Sequence, residues 1–462
     1  VAQGAGSRYR ARAPAARARG GRARPRSSAP PAMSKPLVSA EGTSAAATAD
    51  QAQEADEQQL AALSAPLALR APRMPKEISA LLHENWAAFD PEGERLFEWL
   101  RKARAWSEFA HARTTFLEHL KGTYGMLAAW KQPPDVSRCG LLHSSYTTGA
   151  FHFRYFDIAD PQSRGQLRDV VGSAAEHLIY QYCAYEIAGN WIDQHIMEAV
   201  QKEHNGDTNG FAFDPNGYDF PCRANGDRVE HVSIEDFAKL MVVWVADVAD
   251  QFCQVNAWVD VYLPERPTAI WPGDGAPATF LHLFSKILRE VRPYLEVVPP
   301  VFNGCTEVLS FQDEREARDL YWRAVQQQRG MPPREQEDLF RRAAELNPYI
   351  GEPRLMLSQL LFNRGAFPEA AREAATALEL FYQWATAWDK RNSYAQWVGF
   401  SRMALLRAAR RAQGLTALPQ LPLAGKGTAE GASPRAIYLQ DLIKEFDEAE
   451  EGEQAGAPRS RL

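Results

Sequence analysis

From Pro75 onward the apolar residues recur at steps of three and four. Leu81, Leu82, Trp86 and Phe89 are followed by Leu96, Phe97 and Leu100. The stretch Thr114–Trp130 then carries Phe116, Leu117, Leu120, Tyr124, Leu127 and Ala128 along one face. That spacing is the helical period, and no convincing period-two stretch accompanies it. The expected fold class is therefore all-α. Further helices are expected over Val136–His143, Arg164–Tyr185 and Ile234–Trp258, the last with Glu235 and Asp236 in its first turn. The longest apolar run, Leu240–Ala246, falls far short of the roughly 18 residues needed to span a bilayer. It suits a buried helix.

Punctuation divides the chain. Pro133-Pro134-Asp135 ends one helix and starts the next, with Asp135 expected as N-cap. Residues 204–231, full of Asn, Asp, Gly and Pro, read as loop. After Pro299 come helices over Glu314–Gln328 and Arg334–Leu346, then LNPYIGEPRLMLSQLLFNRGAFPEAAREAATALEL (346–380). Here Asn347-Pro348 ends a helix, Pro353 opens the next, Gly365 marks a tight turn, and Ala370, Ala371, Ala374 and Ala377 let the following helix pack closely. This pattern resembles the tetratricopeptide repeat. The expected organisation is a disordered region and linker over 1–72, a helical domain over 75–298, a helical-repeat segment over 299–410, and a linker with an acidic tail over 411–462. A short helix is expected at Ile437–Glu453.

Residues 1–40 hold eight Arg, one Lys and no acid, which predicts disorder. Two readings fit: an organelle transit peptide, or sequence upstream of a start at Met33. The second leaves a cytoplasmic protein. The net charge of −6 gives no bias toward nucleic acid or membrane. Cys139, Cys183, Cys222, Cys253 and Cys305 are widely spaced, so reduced thiols are expected rather than a disulfide framework.

The chemistry-bearing stretch is CGLLHSSYTTG (139–149). His119 sits mid-helix and His143 ends the next helix, so two antiparallel helices can bring the imidazoles together. Asp247 and Asp250 lie on a buried-looking helix, and a buried carboxylate needs a partner. Two His and one Asp form a partial ligand set for a divalent metal such as Mn, Fe or Zn. The other reading makes both histidines hydrogen-bonded core residues. The Asp193/His195 pair reads as solvated or capping, and HNGDTNG (204–210) lacks the glutamate that an EF-hand loop needs.

This arrangement resembles the HD-domain phosphohydrolases, and within them the hydrolase half of the stringent-response alarmone enzymes. His119, His143 and Asp247 fall on positions that hold metal in that superfamily. More narrowly, residues 110–260 look like an HD-like family with a GLFHSxYGT motif, which implies no particular activity. The superfamily's bridging Asp is Ser144 here, its acidic pair falls near Thr147 and Thr148, and the narrower motif's Gly is Thr147. A hydroxyl cannot balance metal charge as a carboxylate does. Two functions follow. One is a metal-dependent hydrolase acting on a small molecule or phosphoester, with His119, His143 and Asp247 as ligands and Ser144, Tyr146 and Thr148 orienting the substrate as catalytic-site residues. The other is a non-catalytic scaffold binding a peptide or protein partner through 334–410. Trp384, Trp388 and Trp397 there are expected in the core, with any exposed subset free to line a groove.

Overall fold

In a computed structural model of the chain the described residues are 72–103, 105–111, 114–148, 153–185, 187, 213–251, 280–303, 309–326 and 330–414. The expectations for 1–71, for the Asp193/His195 pair, for HNGDTNG, for Cys253 and Cys305 and for 415–462 lie outside them.

Helices α1 (Lys76–Leu82), α2 (Gly93–Lys102) and α3 (Ala105–Glu108) precede a two-residue antiparallel pair, β1 (Ala110–His111) and β2 (Thr114–Thr115). Then come α4 (Phe116–Ala129), α5 (Pro134–Leu142), α6 (Pro161–Val171) and α7 (Ser173–Ala184). A hairpin, β3 (Tyr218–Cys222) and β4 (Arg228–Val232), leads to α8 (Ile234–Gln251). The protein is thus mostly helical, and among the described residues its sheets are these two small pairs.

Helices α4, α5 and α7 pack against one another or against α8. In α8 every residue from Leu240 to Ala246 is buried. A helix that is apolar all round must be enclosed, and the apolar run read from sequence is that enclosed turn. Thr115 caps the start of α4, its hydroxyl accepting the Glu118 N–H.

Three local expectations are corrected. Pro133, not Asp135, is the N-cap of α5, and Pro134 takes the first helical position, where its fixed φ and missing N–H cost nothing. The helix expected over 164–185 is two helices. Gly172, at φ +91°, closes α6 and opens α7. Because the apolar period runs through the break, only the glycine marks it. Residues 218–231, expected as loop, belong to the β3–β4 hairpin. Its alternation (Phe220, Cys222 in; Asp219, Pro221 out) lasts only five residues per strand, too short to stand out from the turn-forming residues around it.

Beyond α9 (Leu281–Val291), helices α10 (Phe311–Gln326), α11 (Pro333–Leu346), α12 (Glu352–Asn363), α13 (Phe367–Trp384) and α14 (Tyr394–Ala412) each pack on the next. Gly365 makes the α12–α13 turn at φ +88°. Ala370, Ala371, Ala374 and Ala377 are fully buried, as close helix approach requires. Trp384, Trp388 and Trp397 are all buried. The two regions share one core, and the Trp130 indole at the end of α4 donates to the carbonyls of Gln383 and Trp384 at 3.1 Å.

Buried acids hold the joints of this half. The Glu314 carboxylate accepts the first amides of α9, from Leu281 and His282, at 2.8 and 2.9 Å. Glu352 Oε1 accepts the amides of Trp388 and Asp389 at 2.7 and 3.0 Å. Burial pushes the Glu352 carboxyl up to about 7, against the amide bonds that favour its anion. Its folded pKa thus lies above its unfolded value near 4.5, so the folded state holds the proton in that window. Stability should therefore fall as pH rises from about 4.5 through about 7. Glu352→Gln keeps an oxygen acceptor without the charge and should flatten that part of the profile. Thermal melts of both proteins across the window check it, and an unchanged slope in the variant would contradict it.

Candidate metal centre

Three helices deliver the site. His119 stands one turn into α4. His143 is the C-cap of α5, where the chain turns out of the helix. Asp247 and Asp250 follow the enclosed stretch of α8 at a spacing of three, which puts them on one face. Glycine makes the approach of α4 and α8 possible. A Cβ at Gly122 would collide with Asp250 Oδ1, and one at Gly140 would collide with Leu127 between α4 and α5.

The side chains converge. His119 Nε2 lies 3.2 Å from Asp247 Oδ1, and His143 Nε2 lies 3.6 Å from Asp247 Oδ2. The two rings stand edge to face with centroids 5.4 Å apart. The ligand atoms of His119, His143 and Asp247 all lie within 4.8 Å of one another, so this group can hold a metal ion. Each imidazole is anchored from behind. His119 Nδ1 bonds Asp250 Oδ2 at 2.9 Å, and His143 Nδ1 bonds the Gly140 carbonyl at 2.8 Å. An acceptor at Nδ1 fixes a proton there and turns Nε2 toward the shared carboxylate, the arrangement that orients metal-ligating histidines.

Asp247 is fixed in turn. Tyr182 donates its hydroxyl to Oδ2 at 3.0 Å, and Gln251 donates to Oδ1 at 2.9 Å. Cys183 donates its thiol to the His143 carbonyl at 2.9 Å, tying α7 to the end of α5. No lysine or arginine pairs with Asp247 or Asp250 among the described residues. Burial alone would lower the His119 pKa, but the two aspartates outweigh it and raise it to about 9. Burial holds His143 below its ordinary value. Burial would raise Asp247, yet His143 and His119 hold it well below the usual carboxylate range. In the metal-free cluster His119 is thus the ring held in its charged form beside the carboxylates. A divalent cation with both rings neutral would balance those carboxylates in full.

The hydroxyl run is distributed differently. Ser144 and Thr148 are buried, and a turn closes from the Thr147 amide to the Ser144 carbonyl. Tyr146, expected at the pocket wall, instead donates its hydroxyl to Glu176 Oε1 at 2.9 Å. Arg164 and Arg168 hold that buried glutamate. Arg223, from the turn between β3 and β4, donates to the carbonyls of Tyr146, Thr147 and Cys183 and so clamps the loop to α7. Thr147 has φ +68°, in the left-handed region that favours glycine. Sequence reasoning missed Glu176, Tyr182, Gln251 and Arg223. It noted Asp250 without a role, although its i, i+3 spacing from Asp247 was the available signal.

Residues 99–186 match the sequence profile of a domain of unknown function, DUF6817. The match includes His119, His143 and the hydroxyl run but ends before Asp247 and Asp250. The chain has no match among curated proteins or among solved structures.

His119 supplies a pH test of the metal-free centre. Its folded pKa is raised above 6.5, so its contribution is complete below that pH and is lost as pH rises through about 9. With chelator present, the melting temperature should fall over that window, and His119→Gln should remove the slope. A parent profile that stays flat from pH 6.5 to beyond 9 would mean that the folded cluster does not hold His119 in its charged form.

Proposed function

We propose that the domain containing α4, α5 and α8 is a mononuclear divalent-metal site with hydrolytic activity toward a small molecule or phosphoester. One observation carries this reading: two imidazoles, each anchored through Nδ1, present Nε2 to the same buried carboxylate. Two nitrogens and a carboxylate oxygen suit Zn, Fe or Mn. A divalent ion held by three protein ligands supplies Lewis-acid activation of water at a remaining position. The chain's part is to orient His119 through Asp250, to hold Asp247 through Tyr182 and Gln251, and to place Ser144 and Thr148 in the wall that follows His143. The side chains of Asp247 and Asp250 are 13% and 19% exposed while the histidines are nearly sealed, so solvent reaches the site from the aspartate side. The likeness to HD-type hydrolases supports the same residues, with Ser144 in place of the bridging Asp. The tetratricopeptide-like reading of 334–410 is supported by the order of packing from α11 to α14. Its three tryptophans are buried, Trp384 against Trp130 and Phe302, Trp388 against Tyr321 and Trp397 against Phe381, which favours a scaffold over an aromatic peptide groove.

Protein purified without a metal-affinity tag should contain about one equivalent of divalent metal, or take up Mn²⁺ in a calorimetric titration. His143→Ala should bring the metal to background and also cost roughly 1–3 kcal/mol of stability. Asp247→Asn should likewise lose the metal. Mn²⁺-dependent hydrolysis of bis(p-nitrophenyl) phosphate should appear with the parent and vanish in His143→Ala. A parent that neither contains nor binds metal sinks the proposal, and metal binding without turnover of any ester probe removes its hydrolytic half.

A further inference from the structure

Helices α10 to α14 each cover the one before, and α14 is the last of the series among the described residues. Its inner face is fully used, with Trp397, Val398, Ser401, Leu405 and Ala408 buried. The last helix of such a stack normally turns a polar side to water. Here the outer side is apolar. Phe400 is 47% exposed, and Met403 and Leu406, which follow it at steps of three, are partly buried yet stand outside the shared core. The helix is also basic, with Arg402, Arg407, Arg410 and Arg411 and no acid. Arg407 and Arg411 come seven and eleven residues after Phe400, so they continue its side of the helix. They lie over the Phe362 and Phe367 rings, each 4.8 Å from the centroid, and neither makes an ion pair or hydrogen bond among the described residues. The ring contacts hold both guanidinium groups in place and leave their N–H donors unspent. Complementing the helix dipole accounts for arginines near a C-terminus. It does not account for the apolar residues in line with them.

An apolar strip running into arginines is complemented by an apolar strip running into acids. The chain carries such a segment beyond the described residues, at 437–453. Leu439, Leu442, Ile443 and Phe446 recur there at helical steps. From Asp441 to Glu453 there are seven acids against Lys444, a charge of −6, where the four arginines of α14 give +4. The order matches as well as the charge. Both stretches are apolar first and charged afterwards, so a parallel alignment sets Leu439–Phe446 beside Phe400–Leu406 and the acids beside Arg407 and Arg411. That alignment needs the chain to return from Gly414 to the level of Phe400, about 21 Å along a helix axis. Residues 415–436 are available for the return, 22 in number, and a coil of that length spans about 26 Å. A tether matched to its span gives an effective concentration on the order of 1 mM, so a weak contact suffices.

We propose that the outer face of α14 is a docking site for residues 437–453 of the same chain, with the apolar residues of the segment on Phe400, Met403 and Leu406 and its acids paired with Arg407 and Arg411. The test uses the full chain. Arg407→Lys with Arg411→Lys keeps both charges and gives a carbodiimide two amines to couple, on a helix that has no lysine of its own. Peptide mapping should find positions 407 and 411 joined to acids within 445–453, in a yield that dilution does not change. Adding Leu442→Ser and Phe446→Ser should lower that yield about ten-fold, because two apolar anchors are lost while every acid remains. Hydrogen exchange gives a second readout on the native helix: amides 399–407 should exchange about ten-fold more slowly in the parent than in Leu442→Ser/Phe446→Ser. The proposal is overturned if the links go to other acids, if links to 445–453 form only between chains and so fall on dilution, or if loss of both anchors changes neither yield nor exchange. Sedimentation of the parent with phosphatidylserine vesicles, abolished by Arg407→Glu/Arg411→Glu, would make the face a membrane surface and would also overturn it.

Discussion

Asp247 and Asp250 come directly after seven buried residues of α8. A helix so enclosed carries its carboxylates inward, and no lysine or arginine pairs with them among the described residues. Desolvated carboxylates must be matched by other groups. Here the match is made by imidazoles from the two helices packed against α8, by the Tyr182 hydroxyl and by the Gln251 amide. The placement of α4, the capping of α5 and the contact of α7 with the His143 carbonyl all serve that one electrostatic demand.

Other buried acids in the protein are satisfied by different means. Glu176 lies between two arginines and a tyrosine. Glu314 takes the free amides at the start of α9, and Glu352 takes those of the 388–389 turn. Each is a structural joint. The aspartates of α8 differ because two histidines from separate helices converge on Asp247, whereas Glu314 meets one, His282 at 2.6 Å, and a pair of imidazole nitrogens around one carboxylate can take up a cation. Burial of an acid therefore says little about function by itself. The chemistry of its partners separates a fastening from a site.

Much of this was legible from the order of residues. The helical period marked most of the helices, and the apolar run 240–246 marked the central one. Histidines on consecutive helices with a carboxylate on a third anticipated the convergence seen here, because a tight proline turn leaves adjacent helices little freedom. What was hidden depended on contacts distant in sequence. Glu176 looks like an ordinary surface acid until Arg164 and Tyr146 fold over it, and that contact draws the Tyr146 hydroxyl to Glu176. Gly172 interrupts a period that otherwise runs on, so a conformation at one residue outweighs a pattern spread over twenty. The β3–β4 hairpin is too short to leave a periodic trace.

Gly122 occupies the point of closest contact between α4 and α8, and the Asp250 carboxylate fills the space that a side chain would need. The two positions are thus halves of one object, although 128 residues separate them along the chain. A larger residue at 122 would displace the carboxylate, free the rear nitrogen of His119 and release the ring from its aim. A change at 250 would leave a void beside the glycine that only a new side chain at 122 could fill. In lineages that keep this fold, the two sites should drift together or stay still together, so a glycine that performs no chemistry would record whether the histidine beside it is still held in place.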